Sequence, residues 1–392
     1  MIRVLLGGLG LYAGHYLRAY RDIYDKDEIR FVAAVDPYAT DTPAYQLAVE
    51  QDIPIRRDFD AALDEFKPDI AFLATPINVH MEQILACFAR GIHVLCEKPL
   101  AADLEEIETI RKARDESGCL LAVGFQWSFT KSMLQIKKDI ADGIFGKPVH
   151  FSTSVYWQRA YTYYTMSPWK GRINNAAGVP VHDSILTNAT AHYLQNMFFI
   201  LGEHAKDAQV ITAHAYDIET FDTCLLHGHF AGGGDFTLCV THVGEVNENP
   251  RMTYEFEKGT ITYDMDEDRL VAHMADGSVR DYGTTYSPED TAEKEFVMVR
   301  AVRDGAPLPC SVEEVMAFST FCEAVFDHKD HFLPFEKDHV AEVPEAANGR
   351  DMRQVPGLIA LMRACTAEHR FPTKEERAAA GIPEEAVFEL TF

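Results

Sequence analysis

The chain has 392 residues, which at ~150 residues per domain points to two or three domains. Its 36 Lys and Arg against 61 Asp and Glu leave a formal charge of −25, a surface that repels phosphate backbones and anionic headgroups and so disfavours nucleic-acid and membrane partners. With 47% hydrophobic and 25% charged residues the composition is globular, and no apolar run reaches the ~18 residues needed to span a bilayer. The N-terminus reads as a strand with no charged-then-apolar leader, so a cytoplasmic protein is expected.

From residue 2 to about 145, short aliphatic runs alternate with amphipathic segments. Strands are predicted over 3–6, 31–35, 70–74, 93–97 and 120–124, with helices such as 81–90 and 104–116 between them. Alternation of this kind predicts right-handed crossovers and a doubly wound parallel sheet, an α/β domain that binds ligands at the C-terminal ends of its strands. The first strand runs into Gly7-Gly8-Leu9-Gly10-Leu11-Tyr12-Ala13-Gly14, which contains Gly8-x-Gly10-x-x-Ala13. The first glycine of such a turn makes the tight bend, the second admits a pyrophosphate, and the small third residue lets helix and strand pack closely. The second strand ends in Asp36, about 20 residues on, where a carboxylate binds the adenosine ribose hydroxyls. An anion there repels a 2′-phosphate, and no Arg lies between Asp36 and Ile55, so NAD is the expected cofactor. The strand over 70–74 closes on Thr75-Pro76 with Asn78 and His80 following, and that over 93–97 on Glu97-Lys98-Pro99-Leu100. Proline ends the strand and holds Lys98 at its tip, where an ammonium can act as electrophile or in proton transfer.

After Gly146-Lys147-Pro148 the texture changes. A strand over 150–155, an aromatic stretch from 156 to 169 and a helical segment over 184–201 precede strands between 210 and 282, joined by turns at Gly232-Gly233-Gly234, Lys258-Gly259 and Asp276-Gly277. This second part reads as α+β with a large, mostly antiparallel open sheet. The last sixty or so residues carry one apolar helix candidate, 355–367. Domains are therefore expected over 1–127, 128–330 and 331–392, the last a partly helical extension. The eight cysteines stand singly with no Cys-x-x-Cys pair and read as buried free thiols.

The glycine turn, Ala74-Thr75-Pro76, Glu97-Lys98-Pro99, Gly124-Phe125-Gln126 and Gly146-Lys147-Pro148, in this order, resemble the Gfo/Idh/MocA family of glucose–fructose oxidoreductase and inositol dehydrogenase relatives. The resemblance covers residues 2 to about 205 well and the last sixty hardly at all. It implies a Rossmann domain followed by an α+β domain, NAD-dependent oxidation of a secondary hydroxyl on a sugar, cyclitol or glycoside, and a homodimer or homotetramer formed through the second sheet. For the cofactor it implies contacts from Gly8, Leu9, Gly10, Leu11, Tyr12 and Asp36, from Thr75, Pro76, Asn78 and His80, and from Glu97, Lys98 and Gln126.

The family's second signature, Asp-x-x-x-His on a helix of the second domain, is altered here. His192 takes the histidine position and Asn188, four residues earlier on the same helical face, stands where the aspartate is expected. Asp183 is the nearest carboxylate and is expected at the helix start as a cap. Asn orients a hydroxyl or an imidazole but accepts no proton, so Lys98 and His192 share proton transfer, with Asn188 and Asp183 as the remaining catalytic candidates. Substrate contacts are expected from Lys98, Gln126, Asn188 and His192 and from Tyr156, Arg159 and Trp169 of the aromatic stretch, whose rings suit a pyranose face or, equally, a core. His182, Asp183 and His192, or His227 and His229, lack a firm third or fourth ligand, so no metal is expected. Two other readings share these motifs: an NAD-retaining glycosidase that oxidises its substrate transiently and eliminates the aglycone, and a non-catalytic dinucleotide-binding regulator.

Overall fold

The computed structural model describes the whole chain except Leu11, Ala39 and residues 347–349, and describes 344–346 and 350 by backbone alone. It divides into two compact units, Met1–Lys131 with Tyr286–Met316, and Ser132–Thr285 with Ala317–Phe392.

In the first unit, β1 (Ile2–Gly7), β2 (Ile29–Val35), β3 (Ile55–Arg56), β4 (Ile70–Leu73), β5 (His93–Cys96) and β6 (Leu121–Val123) form a parallel sheet in the order β3-β2-β1-β4-β5-β6. Helices on both faces make the strands continuous apolar runs: Val4, Leu5 and Leu6 of β1 and all four residues of β4 are fully buried. The crossover helices start where short polar side chains can satisfy free amides. Thr42, Asp58 and Asp103 accept from the N–H groups of Tyr45, Ala61 and Glu106. Strand order reverses between β1 and β4, the switch point at which such sheets open a ligand crevice. The fold is the doubly wound Rossmann arrangement expected, with β3 too short to register as a strand in the sequence pattern.

Residues 286–316 belong to this first unit, whereas the sequence boundaries assign them to the second domain. The helix Pro288–Asp304 begins with a reciprocal cap between Ser287 and Asp290 and buries Ala292, Lys294, Val297 and Met298. Its local pattern says only that one face is covered, not by which sheet.

In the second unit, β7 (Pro148–Tyr156), β8 (Ala205–His214), β9 (Thr223–Phe230), β10 (Asp235–Thr241), β11 (Glu248–Phe256), β12 (Gly259–Asp264), β13 (Arg269–Met274) and β14 (Val279–Gly283) run in the order β14-β13-β12-β11-β7-β10-β9-β8. The pairings are antiparallel except β7 with β10. Leu333–Pro334 and Val387–Thr391 both add to β8. One face packs under Ala191–Leu201, where Phe198 meets Phe230 and Phe236. Tyr156, Ile211, Leu225 and Cys239 of the other face form a core with Leu358, Ile359, Met362 and Cys365. The C-terminal extension is thus a cover for this sheet and supplies it with an edge strand. All eight cysteines are free and buried. Among the described residues no helix is long and apolar enough to cross a membrane.

Candidate functional site

The first unit carries the glycine turn at the end of β1. Gly8 has φ 89°, and a Cβ there would lie 2.6 Å from the Ala74 carbonyl oxygen, so glycine is required for the bend itself. At Gly10 nothing among the described residues, its chain neighbours aside, lies within 4 Å of an added Cβ. The folded protein does not need that glycine for its own packing; the space it leaves suits a phosphate approaching the backbone. The helix Ala13–Asp22 that follows has no acidic residue in its first turn, and its N-cap residue Tyr12 makes no side-chain cap, which leaves the positive end of the helix to an anion. Leu11 lies outside the described residues. Asp36 sits against the turn, its Oδ2 accepting from the Leu9 N–H at 2.8 Å and its Oδ1 from the Tyr38 N–H at 2.9 Å. Each carboxylate oxygen accepts more than one hydrogen bond, so a ribose diol can join these partners.

At the ends of β4 and β5, Lys98 is half-buried and the Lys98–Pro99 peptide is cis. His80 is buried, with Nε2 2.9 Å from the Thr75 carbonyl and Nδ1 3.1 and 3.2 Å from those of Pro99 and Leu100. Burial holds its pKa below the ordinary value despite these carbonyls. A cofactor contact for His80 gives way to a tie between two strand-end loops, because its ring is enclosed and both nitrogens face protein carbonyls. Thr75 donates its hydroxyl to Gln83 at 2.7 Å, while Pro76 is exposed and Asn78 half-buried in the following 3-10 turn.

Glu97 likewise turns inward. It is 6% exposed and accepts from the Tyr16 hydroxyl and from the ammonium of Lys294, a residue the sequence reading missed. Lys294 also donates to the Tyr12 hydroxyl at 3.0 Å, and Tyr12 donates to Gln126 Oε1 at 3.0 Å. A Cβ at Gly124 would fall 2.9 Å from Glu97 Oε2, which accounts for that glycine. One buried network therefore ties the glycine turn, the end of β5 and the segment after β6, and the carboxylate of Glu97 is spent within the protein instead of facing a cofactor. Burial pulls the Lys294 ammonium down, but Glu97, Tyr12 and Glu295 together hold its pKa above the ordinary value. The neighbouring Glu295 is pushed up to about 7 by burial, with Lys294 opposing. The one signal in the sequence was a Lys-Glu pair, Lys294-Glu295, among the apolar positions of an amphipathic helix.

In the second unit the predicted long helix is two pieces, a π-helical turn Ile185–Ala189 and the α-helix Ala191–Leu201. Ser184 is the cap: its hydroxyl accepts from the Thr187 N–H, and Thr187 Oγ1 accepts from the Ser184 N–H. With the cap taken, Asp183 does other work, correcting the expectation for it. It is buried, and its Oδ2 accepts from the Gly171 N–H at 2.6 Å while Oδ1 accepts from the Asn188 side-chain amide, also at 2.6 Å. The wide turn thus brings the carboxylate to Asn188, four residues before His192. Asn188 and His192 are half-buried.

Of the aromatic stretch, Tyr156 is 1% exposed in the core under Leu358–Glu368. As the last residue of β7 its ring falls on the covered face, which removes it from the substrate contacts. Trp169 and Arg159 remain half-buried. His182 stacks on Phe326 at 4.4 Å, and His229 pairs with Asp207 at 2.6 Å.

Residues 2–125 match the family model described as oxidoreductase family, NAD-binding Rossmann fold, and 133–262 match the GFO/IDH/MocA C-terminal domain. Over 98 residues, 23% of this chain and 27% of the relative, the sequence is 38% identical to scyllo-inositol 2-dehydrogenase (NADP(+)) of Bacillus subtilis. Over 151 residues, 37% of this chain and 39% of the relative, it is 34% identical to inositol 2-dehydrogenase of Rhodococcus jostii. The matched segments thus span well under half of these curated relatives. The fold is similar to that of the WlbA dehydrogenase from Bordetella pertussis, solved with NADH and UDP-GlcNAcA, with a TM-score of 0.67, 23% identity, and coverage of 83% of this chain and 95% of that one. A parallel sheet with a glycine turn open to phosphate, followed by a large mixed sheet, and matched by the models of both domains, makes the chain a member of the Gfo/Idh/MocA family of NAD(P)-binding oxidoreductases.

Proposed function

We propose that the protein is an NAD-dependent dehydrogenase that oxidises a secondary hydroxyl of a sugar, cyclitol or glycoside. The observation that carries this reading is the pairing, at the C-terminal ends of β1 and β5 in one sheet, of the opening at Gly10 with the half-buried Lys98. The glycine turn and Asp36 would hold the dinucleotide, which when bound would supply the hydride acceptor. Lys98 stabilises the charge that develops on the reacting oxygen, and His192 accepts the hydroxyl proton. Asn188, its amide fixed by Asp183, orients the reacting hydroxyl or the imidazole. The inositol dehydrogenases among the relatives support a polyol substrate. A panel of monosaccharides, cyclitols and glycosides, assayed with NAD and NADP by absorbance and by product analysis, tests the reading. Net NADH formation supports it, and glycoside cleavage without net NADH replaces it with the NAD-retaining glycosidase.

Two substitutions sharpen the assignment. Because Asp36 repels a 2′-phosphate, calorimetry on the unaltered protein should find NAD bound more tightly than NADP, and Asp36→Ser should narrow the gap. Equal affinities before substitution would remove Asp36 from that role. His192→Ala is expected to lower kcat by a factor on the order of 10² to 10⁴, as for a lost general base. Asn188→Ala removes a hydrogen bond of about 1 kcal/mol and should cost only several-fold, with Asp183→Asn between the two because the Asn188 amide loses its anionic acceptor. Comparison of the three kcat values is the check, and a larger effect at Asn188 than at His192 would move proton transfer away from the imidazole.

A further inference from the structure

Beside the π-helical turn the second unit holds two cations that have no counter-charge among the described residues. In a chain of net charge −25, Arg159 and Lys170 form no ion pair among the described residues. Both lie against one ring instead: the Arg159 guanidinium carbon is 5.3 Å and the Lys170 ammonium 4.0 Å from the centre of Tyr163. Trp157 backs the first at 5.5 Å and Trp169 the second at 4.9 Å. Lys170 is 9% exposed, so little water replaces the missing anion. Aromatic faces offset part of that cost, yet two like charges on one ring repel each other.

His242 adds a third group. It is 1% exposed, its ring centre lies 5.3 Å from that of Tyr163, and Nδ1 is 2.7 Å from the Tyr164 hydroxyl. Nε2 is buried with no hydrogen-bond partner among the described residues. Burial, then Arg159 and Lys170, hold the ring neutral; in the tautomer whose Nδ1 accepts from the Tyr164 phenol, Nε2 carries the hydrogen and is a buried donor with no acceptor among the described residues. The nearby carboxylates are engaged elsewhere, Asp183 with Gly171 and Asn188, and Asp222 with the N–H groups of Ala215 and Tyr216 and the Thr223 hydroxyl. What the three groups lack in common is an anionic oxygen.

The patch adjoins the segment that carries Asn188 and His192. Lys170 precedes Gly171, whose N–H is held by the same Asp183 that fixes Asn188, and Trp157 meets Tyr193 edge-on at 6.1 Å. From this we propose that Arg159, Lys170 and His242 bind an anionic oxygen group on the substrate, a carboxylate or a phosphate, so that the preferred substrate is an anionic carbohydrate whose ring lies against Trp157 and Trp169. The proposal rests on the dehydrogenase reading for the word substrate, but the anion site stands or falls by itself.

The test uses the full chain saturated with NAD and matched sets of neutral hexose, its uronate and its 6-phosphate in the gluco, galacto and manno series, with myo-inositol and its phosphate. Binding is followed by calorimetry and turnover by absorbance. The best anionic member is expected to bind at least about tenfold more tightly than its neutral partner, with the advantage shrinking as salt is raised. Whether the uronate or the phosphate leads identifies the anion. Arg159→Gln and Lys170→Met should each collapse the anionic-to-neutral ratio towards one, while Arg159→Lys retains part of it. Melting temperatures identify any variant that misfolds, in which case the remaining variant and the salt series decide. Equal binding of charged and neutral partners, no binding by any member, or a ratio indifferent to both residues overturns the proposal. Anion binding that depends on Arg159 and Lys170 without turnover of any carbohydrate leaves the site standing and ends the dehydrogenase reading, while turnover of neutral sugars alone does the reverse.

Discussion

Lys98→Ala is expected to lower kcat by a factor of about 10² to 10⁴ with cofactor affinity little changed, the signature of a group that acts on the reacting oxygen. Lys98 stands at the tip of β5 in the same sheet as the glycine turn, and the carboxylate beside it in sequence, Glu97, turns inward to Lys294. Lys98→Arg keeps the charge but replaces a compact ammonium by a planar fork and should recover only part of the rate. Steady-state kinetics with a cofactor titration separates the alternatives. Unaltered turnover ends the mechanism, and a loss of cofactor affinity as large as the loss of rate makes Lys98 a cofactor ligand.

Lys294→Met should destabilise the protein by about 3–5 kcal/mol, because it leaves the Glu97 carboxylate buried and uncompensated. At roughly 2–4 °C per kcal/mol for a protein of this class, the melting temperature should fall on the order of 10 °C. Glu97→Gln combined with Lys294→Met removes both charges and should recover most of that loss, since an uncharged pair of similar volume leaves no buried charge to desolvate. Thermal melts of the three proteins measure this directly. Because Tyr12 and Gln126 share the network, the single variant should also bind dinucleotide more weakly. A Lys294→Met protein as stable as the parent would show the ion pair to be dispensable.

The residues legible in the sequence are those whose role depends on their immediate neighbours. Gly8 is readable because a tight turn after a strand needs a positive φ, and the place of Lys98 just past the end of β5 because a proline stops the strand beside it. Asp183 shows where local reasoning stops: α-helical spacing put it at the helix start, but the π-helical turn and the Ser184 cap swing it onto Asn188. Tyr156 and Trp169 belong to one aromatic stretch, and only the packing of Leu358–Glu368 on the sheet separates the core ring from the half-buried one.

By itself the sequence determined the alternation of strand and helix, the glycine turn after the first strand, and the family, since each is written in residues a few positions apart or in a periodicity of one segment. Only the tertiary structure decided that residues 286–316 return to the first unit, that Lys294 meets Glu97 across 197 positions, that the C-terminal extension covers the second sheet, and that Arg159, Lys170 and His242 gather around Tyr163. These are pairings between distant segments, and a buried charge is stable only where its partner or ligand is supplied by the fold, information that no local pattern of residues carries.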